Sequence, residues 1–212
     1  MNMFYNGCMY AQPVYWQPKA YFALYLLLNM PASSPLPHFT FNPNAYTLRL
    51  FEQKDIVCEC CSKPRPYSYA GPIYCVADVN DLCPWCIADG SAAAKWEAEF
   101  QDWASVEGNS PDPAEASAPI NAASLEEVVS RSPGYNSWQQ GVWLTHCQDM
   151  CVFLGYVGGE DIRPLLPELR PDLQDWPDEE FLLRRLSADG GLTGYLFQCR
   201  HCEQHRLHID CD

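Results

Sequence analysis

Two Cys-x-x-Cys turns in close succession, Cys58-Glu-Cys-Cys61 and Cys83-Pro-Trp-Cys86, constrain this chain more than any other feature. Such a turn puts two thiolates on one side of a backbone knuckle. Two turns together close a four-sulfur tetrahedral site, with metal–sulfur distances of about 2.3 Å for zinc. Zinc suits soft thiolates, and the interval between the two turns is of the zinc-ribbon type. The expected ligands are Cys58, Cys61, Cys83 and Cys86. Cys60 is an alternative to Cys58 or Cys61, although spacing favours the outer pair and leaves Cys60 as a small buried thiol. A redox dithiol at Cys83 and Cys86 is the other alternative. Such a dithiol normally stands alone after a buried strand, whereas this one has a partner pair upstream.

A third turn, Cys199-Arg-His-Cys202, follows an apolar strand-like segment. It needs two more ligands, and His146, Cys147, Cys151, His201, His205, His208 and Cys211 are the candidates. His146-Cys147 lies between two apolar stretches, so the favoured set is His146, Cys147, Cys199 and Cys202. Adjacent residues seldom ligate one ion, which leaves the fourth position open. Cys151 reads as a small hydrophobe facing the core. A cluster of reduced, buried cysteines without metal is the alternative for this region. If both sites close, they are structural, each binding metal with about 10–16 kcal/mol available to folding.

The chain holds 12 cysteines, which raises disulfides as the competing use. Disulfide scaffolds are small secreted domains behind a signal peptide. The apolar run Tyr21–Leu28 is short, its upstream flank is rich in aromatics and proline, and only Lys19 is basic there. The run also falls short of the roughly 20 apolar residues that a membrane-crossing helix needs. The expectation is a cytoplasmic protein with reduced thiols and no membrane partner. The net charge of -14 works against phosphate backbones and so against nucleic acid. It favours a basic protein surface.

A chain of 212 residues, 48% hydrophobic, suits one domain with an appendage. Residues 1–35 carry no clear period and read as an N-terminal arm; residues 36–212 read as the domain. Short strands are expected at His38–Phe41 and Leu48–Phe51, and a hairpin at Tyr67–Tyr69 with Ile73–Val76. Ser91–Val106 reads as a helix, and residues 107–123 as a Pro/Ala/Ser loop without Lys or Arg. Ser124-Leu-Glu-Glu127 reads as a capping box. Further helices are expected at Asn136–Leu144, Gln148–Leu154 and Pro177–Ser187, the last with Pro at an early position. Gly194–Gln198 and Leu207–Asp210 read as closing strands. The class is α+β: zinc-ribbon-like cysteine knuckles, short antiparallel strands and a helical middle segment.

No catalytic motif emerges. His201-Cys-Glu203 imitates half of a zinc-deaminase signature, but too few residues follow for the other half. There is no His-Glu-x-x-His, phosphate-binding Gly-rich loop or Gly-x-Ser-x-Gly. Asp172, Asp175, Asp178, Glu179 and Glu180 read as a solvated acidic face. The chain is expected not to be an enzyme.

Several blocks do match a known pattern: Leu36-Pro-His-Phe39, Cys58-Glu-Cys-Cys61, Gly71-Pro-Ile-Tyr74, and above all Leu82-Cys-Pro-Trp-Cys-Ile-Ala-Asp-Gly-Ser91. Pro133-Gly-Tyr135, Ser137-Trp-Gln-Gln140, Trp143-Leu-Thr-His-Cys147, Phe153-Leu-Gly155, Cys199-Arg-His-Cys202 and Asp210-Cys-Asp212 continue it. From residue 36 onward the chain resembles the CbrC-like family. The resemblance implies a compact bacterial cytosolic protein with cysteine metal ligands. The family's namesake is associated with tolerance to a nuclease colicin, and relatives look like immunity proteins beside secreted toxins. The implied partner is a cognate protein toxin, a nuclease effector or bacteriocin. Segments Glu97–Glu127 and Glu160–Glu180 would face it. A general zinc-stabilised tolerance factor and an unrecognised zinc enzyme are the alternatives.

Overall fold

The computed structural model describes residues 35–110, 119–176 and 178–212. Leu36–Asp212 is one unit of internal packing. Most of the expected N-terminal arm (residues 1–34) and Pro177 lie outside the described residues, as does much of the expected loop (residues 111–118).

Strand β1 (Phe51–Val57) and strand β2 (Pro64–Tyr69) pair antiparallel, with Phe51 opposite Tyr69 and Val57 opposite Pro64. The first cysteine turn is the tip of this hairpin. Tyr67–Tyr69 therefore pairs backward across the knuckle, and not forward with Ile73–Val76 as the sequence suggested. Within 73–76, the ladder contact among the described residues is the bridge between Tyr74 and Glu99. Helix α1 (Pro84–Ala88) carries the second cysteine turn at its start, and α2 (Ser91–Trp96) follows at once. The expected helix to Val106 stops short because Glu97 adopts a left-handed conformation (φ 51°). Beyond it, the Glu99 backbone exchanges two hydrogen bonds with Tyr74, at 2.8 and 3.0 Å. Helix α3 (Ala122–Arg131) starts earlier than the Ser124 capping box implied. Asn121 is its cap, accepting from the amides of Ala123 and Ser124 at 3.1 and 3.3 Å.

The second half is built on strands where helices were expected. Residues 136–144 form no helix. In place of the helix expected at 148–154, β3 (Thr145–His146) and β4 (Asp149–Met150) make a minimal hairpin, and β5 (Val152–Val157) continues from it. Strands β5, β6 (Leu192–Gln198) and β7 (His205–Cys211) form an antiparallel sheet in that order. The closing pair matches the expected strands within a few residues. The β-branched and aromatic content of Val152–Val157 favours a half-buried pleated surface, and a seven-residue helix would be marginal by itself. Four short helices or turns precede α6 (Glu179–Arg185): α4 (Gly159–Ile162), a 3-10 turn, α5 (Leu166–Leu169) and a second 3-10 turn.

The middle strand β6 is buried on both faces, and its alternation separates two cores. Tyr195 and Phe197 join Phe41, Tyr135, Trp143 and Phe153 in an aromatic core, whereas Leu196 joins Ile162, Leu169, Leu182 and Leu207 in an aliphatic one. A bulge in β5 between Phe153 and Gly155 shifts the phase of that strand, so Phe153 and Tyr156 both meet the aromatic side. Gly155 takes φ 141°, and a Cβ there would stand 3.2 Å from Leu48. A third core, around Phe39, Phe51, Tyr69, Leu82, Ile87 and Phe100, contains the first cysteine group. Each large side chain so buried contributes about 1.5–3 kcal/mol.

Candidate metal centres

The Cys58 knuckle and the Cys199 knuckle are built alike. In the first, the Ser62 amide donates to Cys58 O at 2.7 Å and the Cys58 amide donates to Lys63 O at 3.0 Å. In the second, Glu203 donates to Cys199 O at 3.1 Å and Cys199 donates to Gln204 O at 2.9 Å. In both, the residue just after the second cysteine is left-handed: φ is 57° at Ser62 and 62° at Glu203. Each knuckle sits at the tip of an antiparallel pair, β1–β2 or β6–β7. The strand pairing thus fixes where the two thiols point.

The first centre is completed by Cys83 and Cys86. Cys83 caps α1, with Pro84 at the first helical position, where a missing N–H costs nothing. The segment before it is fastened to the knuckle: Glu59 accepts from the amides of Asn80 and Asp81 at 3.2 and 3.1 Å, and its own amide donates to Asp81 O at 2.8 Å. The four Sγ atoms lie within 4.8 Å of one another. Cys58 to Cys86 is 3.9 Å and Cys83 to Cys86 is 3.6 Å. Four sulfurs at 2.3 Å from one ion stand about 3.8 Å apart, so the donor set fits a tetrahedral metal. A disulfide needs about 2.05 Å. Cys58, Cys83 and Cys86 are buried and Cys61 is half-buried. Two cations stand at the rim. Lys95 Nζ donates to Glu59 O at 2.6 Å, and Arg65 lies against the Cys61 thiol while stacking on Trp85 at 4.4 Å. They offset the charge that four thiolates bring.

The second centre joins the other knuckle to the β3–β4 hairpin. Its loop is the two residues Cys147 and Gln148, both left-handed with φ 52° and 61°, as a two-residue turn requires. The chain therefore reverses direction at Cys147 itself. This resolves the difficulty of adjacent ligands, because the turn brings the neighbouring side chains of His146 and Cys147 to one point. His146 Nδ1 lies 3.3 Å from both Cys147 Sγ and Cys202 Sγ, and those two sulfurs are 3.8 Å apart. All four donor atoms, Cys199 included, lie within 4.8 Å of one another. A nitrogen at 2.05 Å and a sulfur at 2.3 Å from one tetrahedral ion stand about 3.6 Å apart, so this set fits as well. Here Cys147 and Cys202 are exposed, His146 is half-buried and only Cys199 is buried.

Without an ion the thiols share protons unequally. A hydrogen bond from Cys83, helped by nearby amides against the cost of burial, holds Cys58 down at about 4; the same bond raises Cys83. Burial pushes Cys86 up to about 12. Burial also pushes Cys199 upward, but the Cys202 and His201 amides outweigh it and hold the thiol at about 6. The hydrogen bond with Cys202 raises Cys147 to about 11. A bound cation would displace all of these protons.

The other candidates go elsewhere. Cys60 is half-buried, 3.5 Å from Ser91 Oγ, and Cys151 is fully buried in the aromatic core, where burial raises it to about 12. His201 bonds Asp149 at 2.8 Å, His205 bonds Glu168 at 3.0 Å, and His208 stacks on Tyr195. Every described cysteine is a free thiol. One constellation escaped the sequence reading. Arg206 pairs with Glu107 at 2.8 Å and with Asp172 at 2.9 Å, and its Nη1 donates to Thr145 O at 2.6 Å. Asp172 is thus not part of a solvated acidic face; its side chain is 8% exposed. Nothing local marks such a triad, since its members are up to 99 residues apart.

Residues 36–211 match the uncharacterised protein family UPF0167, and the chain belongs to that family. A UPF0167 protein of Mycobacterium bovis is 38% identical over 186 residues, covering 82% of this chain and 93% of the relative. A UPF0167 protein of Pseudomonas aeruginosa is 40% identical over 185 residues, covering 84% of this chain and 97% of the relative. No solved structure matches the chain. Among the described residues no helix is long and apolar enough to cross a membrane.

Proposed function

We propose that this UPF0167 protein is a cytoplasmic, non-catalytic binding protein that holds two structural zinc ions and neutralises a basic protein toxin, a nuclease effector or bacteriocin. The observation that carries the structural-zinc part of the reading is the pair of four-donor sets. A catalytic zinc normally keeps three protein ligands and an open position for water or substrate, whereas four protein donors close the ion off. Sulfur-rich donors favour zinc, and free thiols suit a reducing compartment.

The toxin rests on the resemblance to CbrC-like proteins and on charge. Carboxylates of the Glu97–Glu127 and Glu160–Glu180 segments differ in what they can offer. Glu107 and Asp172 are spent on Arg206, Glu126 on Arg131, and Glu168 on His205. Glu97, Asp175 and Glu179 are exposed and make no ion pair among the described residues. An excess of negative charge speeds encounter with a basic cleft and excludes nucleic acid from it.

The test is co-expression with toxin genes neighbouring this one, followed by affinity capture and mass spectrometry. The expected result is a stoichiometric basic partner that is lethal alone and harmless together with this chain. A metal-loaded chain that captures no such partner and rescues no toxin would shift the function to a general zinc-stabilised tolerance factor.

A further inference from the structure

Away from both cysteine groups, a cavity of about 320 Å³ opens beside the β5–β6 edge, lined by Leu48, Trp138, Tyr156, Tyr195 and Asp189 among others. That volume is at the lower end of small-ligand sites, about 300–1,000 Å³. Three of its wall residues, Trp138, Tyr156 and Tyr195, are aromatic and held in place. Trp138 remains 53% exposed, yet its indole Nε1 donates to Gly190 O at 2.9 Å and to Thr193 Oγ1 at 3.2 Å. Its backbone amide donates to the Tyr195 hydroxyl at 3.3 Å, and that hydroxyl donates to Asp210 at 2.6 Å. Tyr156 meets Tyr195 edge to face, with centroids 5.8 Å apart and planes at 71°. The β5 bulge is what brings Tyr156 to this side.

The charged side chain at the cavity is a carboxylate, beside the neutral polar groups of Asn136, Ser137 and Thr193. Asp189 accepts from Ser187 Oγ at 2.8 Å and forms no ion pair among the described residues. No Lys or Arg lines the cavity, which leaves phosphate and carboxylate ligands without a counter-charge. Aromatic faces carry negative electrostatic potential and attract cations, more strongly where water is displaced. A planar guanidinium can stack on a ring while its N–H groups reach a carboxylate, which a compact ammonium does less well. The net charge of -14 adds to the preference for a cation.

We propose that this cavity is an aromatic cage for an arginine side chain presented by a basic partner protein. The arginine donor rests on the toxin-binding reading above; the cage itself does not. The first experiment therefore needs no toxin. N-acetyl-arginine amide is titrated into the full metal-loaded chain while the Trp138 indole N–H is followed by NMR, with N-acetyl-citrulline amide as the uncharged isostere. The expected result is saturable binding of the arginine probe that is about tenfold weaker for citrulline, and about tenfold weaker in D189N, within the range of partly desolvated cation–π contacts. Trp138→Leu, a change at an exposed ring, abolishes it with the fold checked by circular dichroism. Equal response to both probes, or arginine binding indifferent to D189N and Trp138→Leu, overturns the cage. In a second arm, toxin capture is measured with Trp138→Leu. A loss of about tenfold or more supports the arginine contact. Undiminished capture by a chain whose cage binds the probe overturns the partner assignment and leaves the toxin reading standing.

Discussion

The two cysteine groups are built on the same kind of knuckle at the tip of an antiparallel strand pair and differ in what completes them. The first is completed by a helix start and lies inside a core of aromatic and aliphatic side chains, with three of its four thiols buried. The second is completed by a two-residue turn and leaves two of its thiols exposed. The comparison separates two jobs that a structural metal can perform. Among the described residues around the first group there is little regular structure besides a hairpin and two short helices, so an ion there would hold the core itself together. In the second half the three-stranded sheet and two cores exist around the site, so an ion there would fix a corner. Exposure also sets how fast reagents reach each group.

The largest expected effect comes from that contrast. Cys83→Ser removes a ligand from the group around which the first core is packed, and with about 10–16 kcal/mol of metal binding available to folding, comparable to the whole stability of a typical domain, the variant should fail to fold. The measurement is soluble yield and far-ultraviolet circular dichroism beside Cys202→Ser. The latter should stay folded and keep one metal. If Cys202→Ser unfolds while Cys83→Ser does not, the assignment of core and corner is reversed.

Next comes the frame of the second centre. Arg206 ties β7 to Thr145, next to His146, by a direct hydrogen bond to Thr145 O, and is itself held by Glu107 and Asp172. Arg206→Ala leaves Asp172 and Glu107 without their partner and should cost about 1–3 kcal/mol, below the range for a fully buried ion pair because the Glu107 side chain is 36% exposed to solvent. Chemical denaturation would show it, and metal loss should fall on the second centre alone. Unchanged retention of both ions would mean that the hairpin does not depend on this triad.

The smallest effect concerns backbone strain. Gln148 is held at φ 61° in the two-residue turn. Gly has no steric penalty there, so Gln148→Gly should be neutral or stabilise by about 1 kcal/mol. Gly155→Ala should do the opposite, because φ is 141° and Leu48 stands at 3.2 Å. Thermal melts of the two variants against the parent give both signs. Destabilisation by Gln148→Gly would show that the glutamine side chain, not the turn, matters at that position.

How far these features could be read from the sequence depends on how local their causes are. The cysteine pairs were legible because ligand spacing is a local constraint, and the two closing strands because their apolar content and flanking turns agree. The fourth ligand of the second centre was not settled, because Cys147 and Gln148 adopt left-handed conformations without the Asn-Gly signal that usually announces them. The helices expected at 136–144 and 148–154 failed for a related reason: both segments are short, and their backbone partners come from distant elements. Phe153, for instance, donates to Phe41 O at 2.8 Å. The Ala-rich segment after Ser91 began as a helix, as composition suggested, and was then captured by Tyr74. Tertiary pairing overrode propensity in each case.

Native mass spectrometry of the full chain, purified with its thiols reduced and without added metal, tests the central claim most directly. The account predicts two zinc ions per chain, falling to one in Cys202→Ser. A folded chain carrying no metal, with the exposed Cys147 and Cys202 open to alkylation, would contradict it.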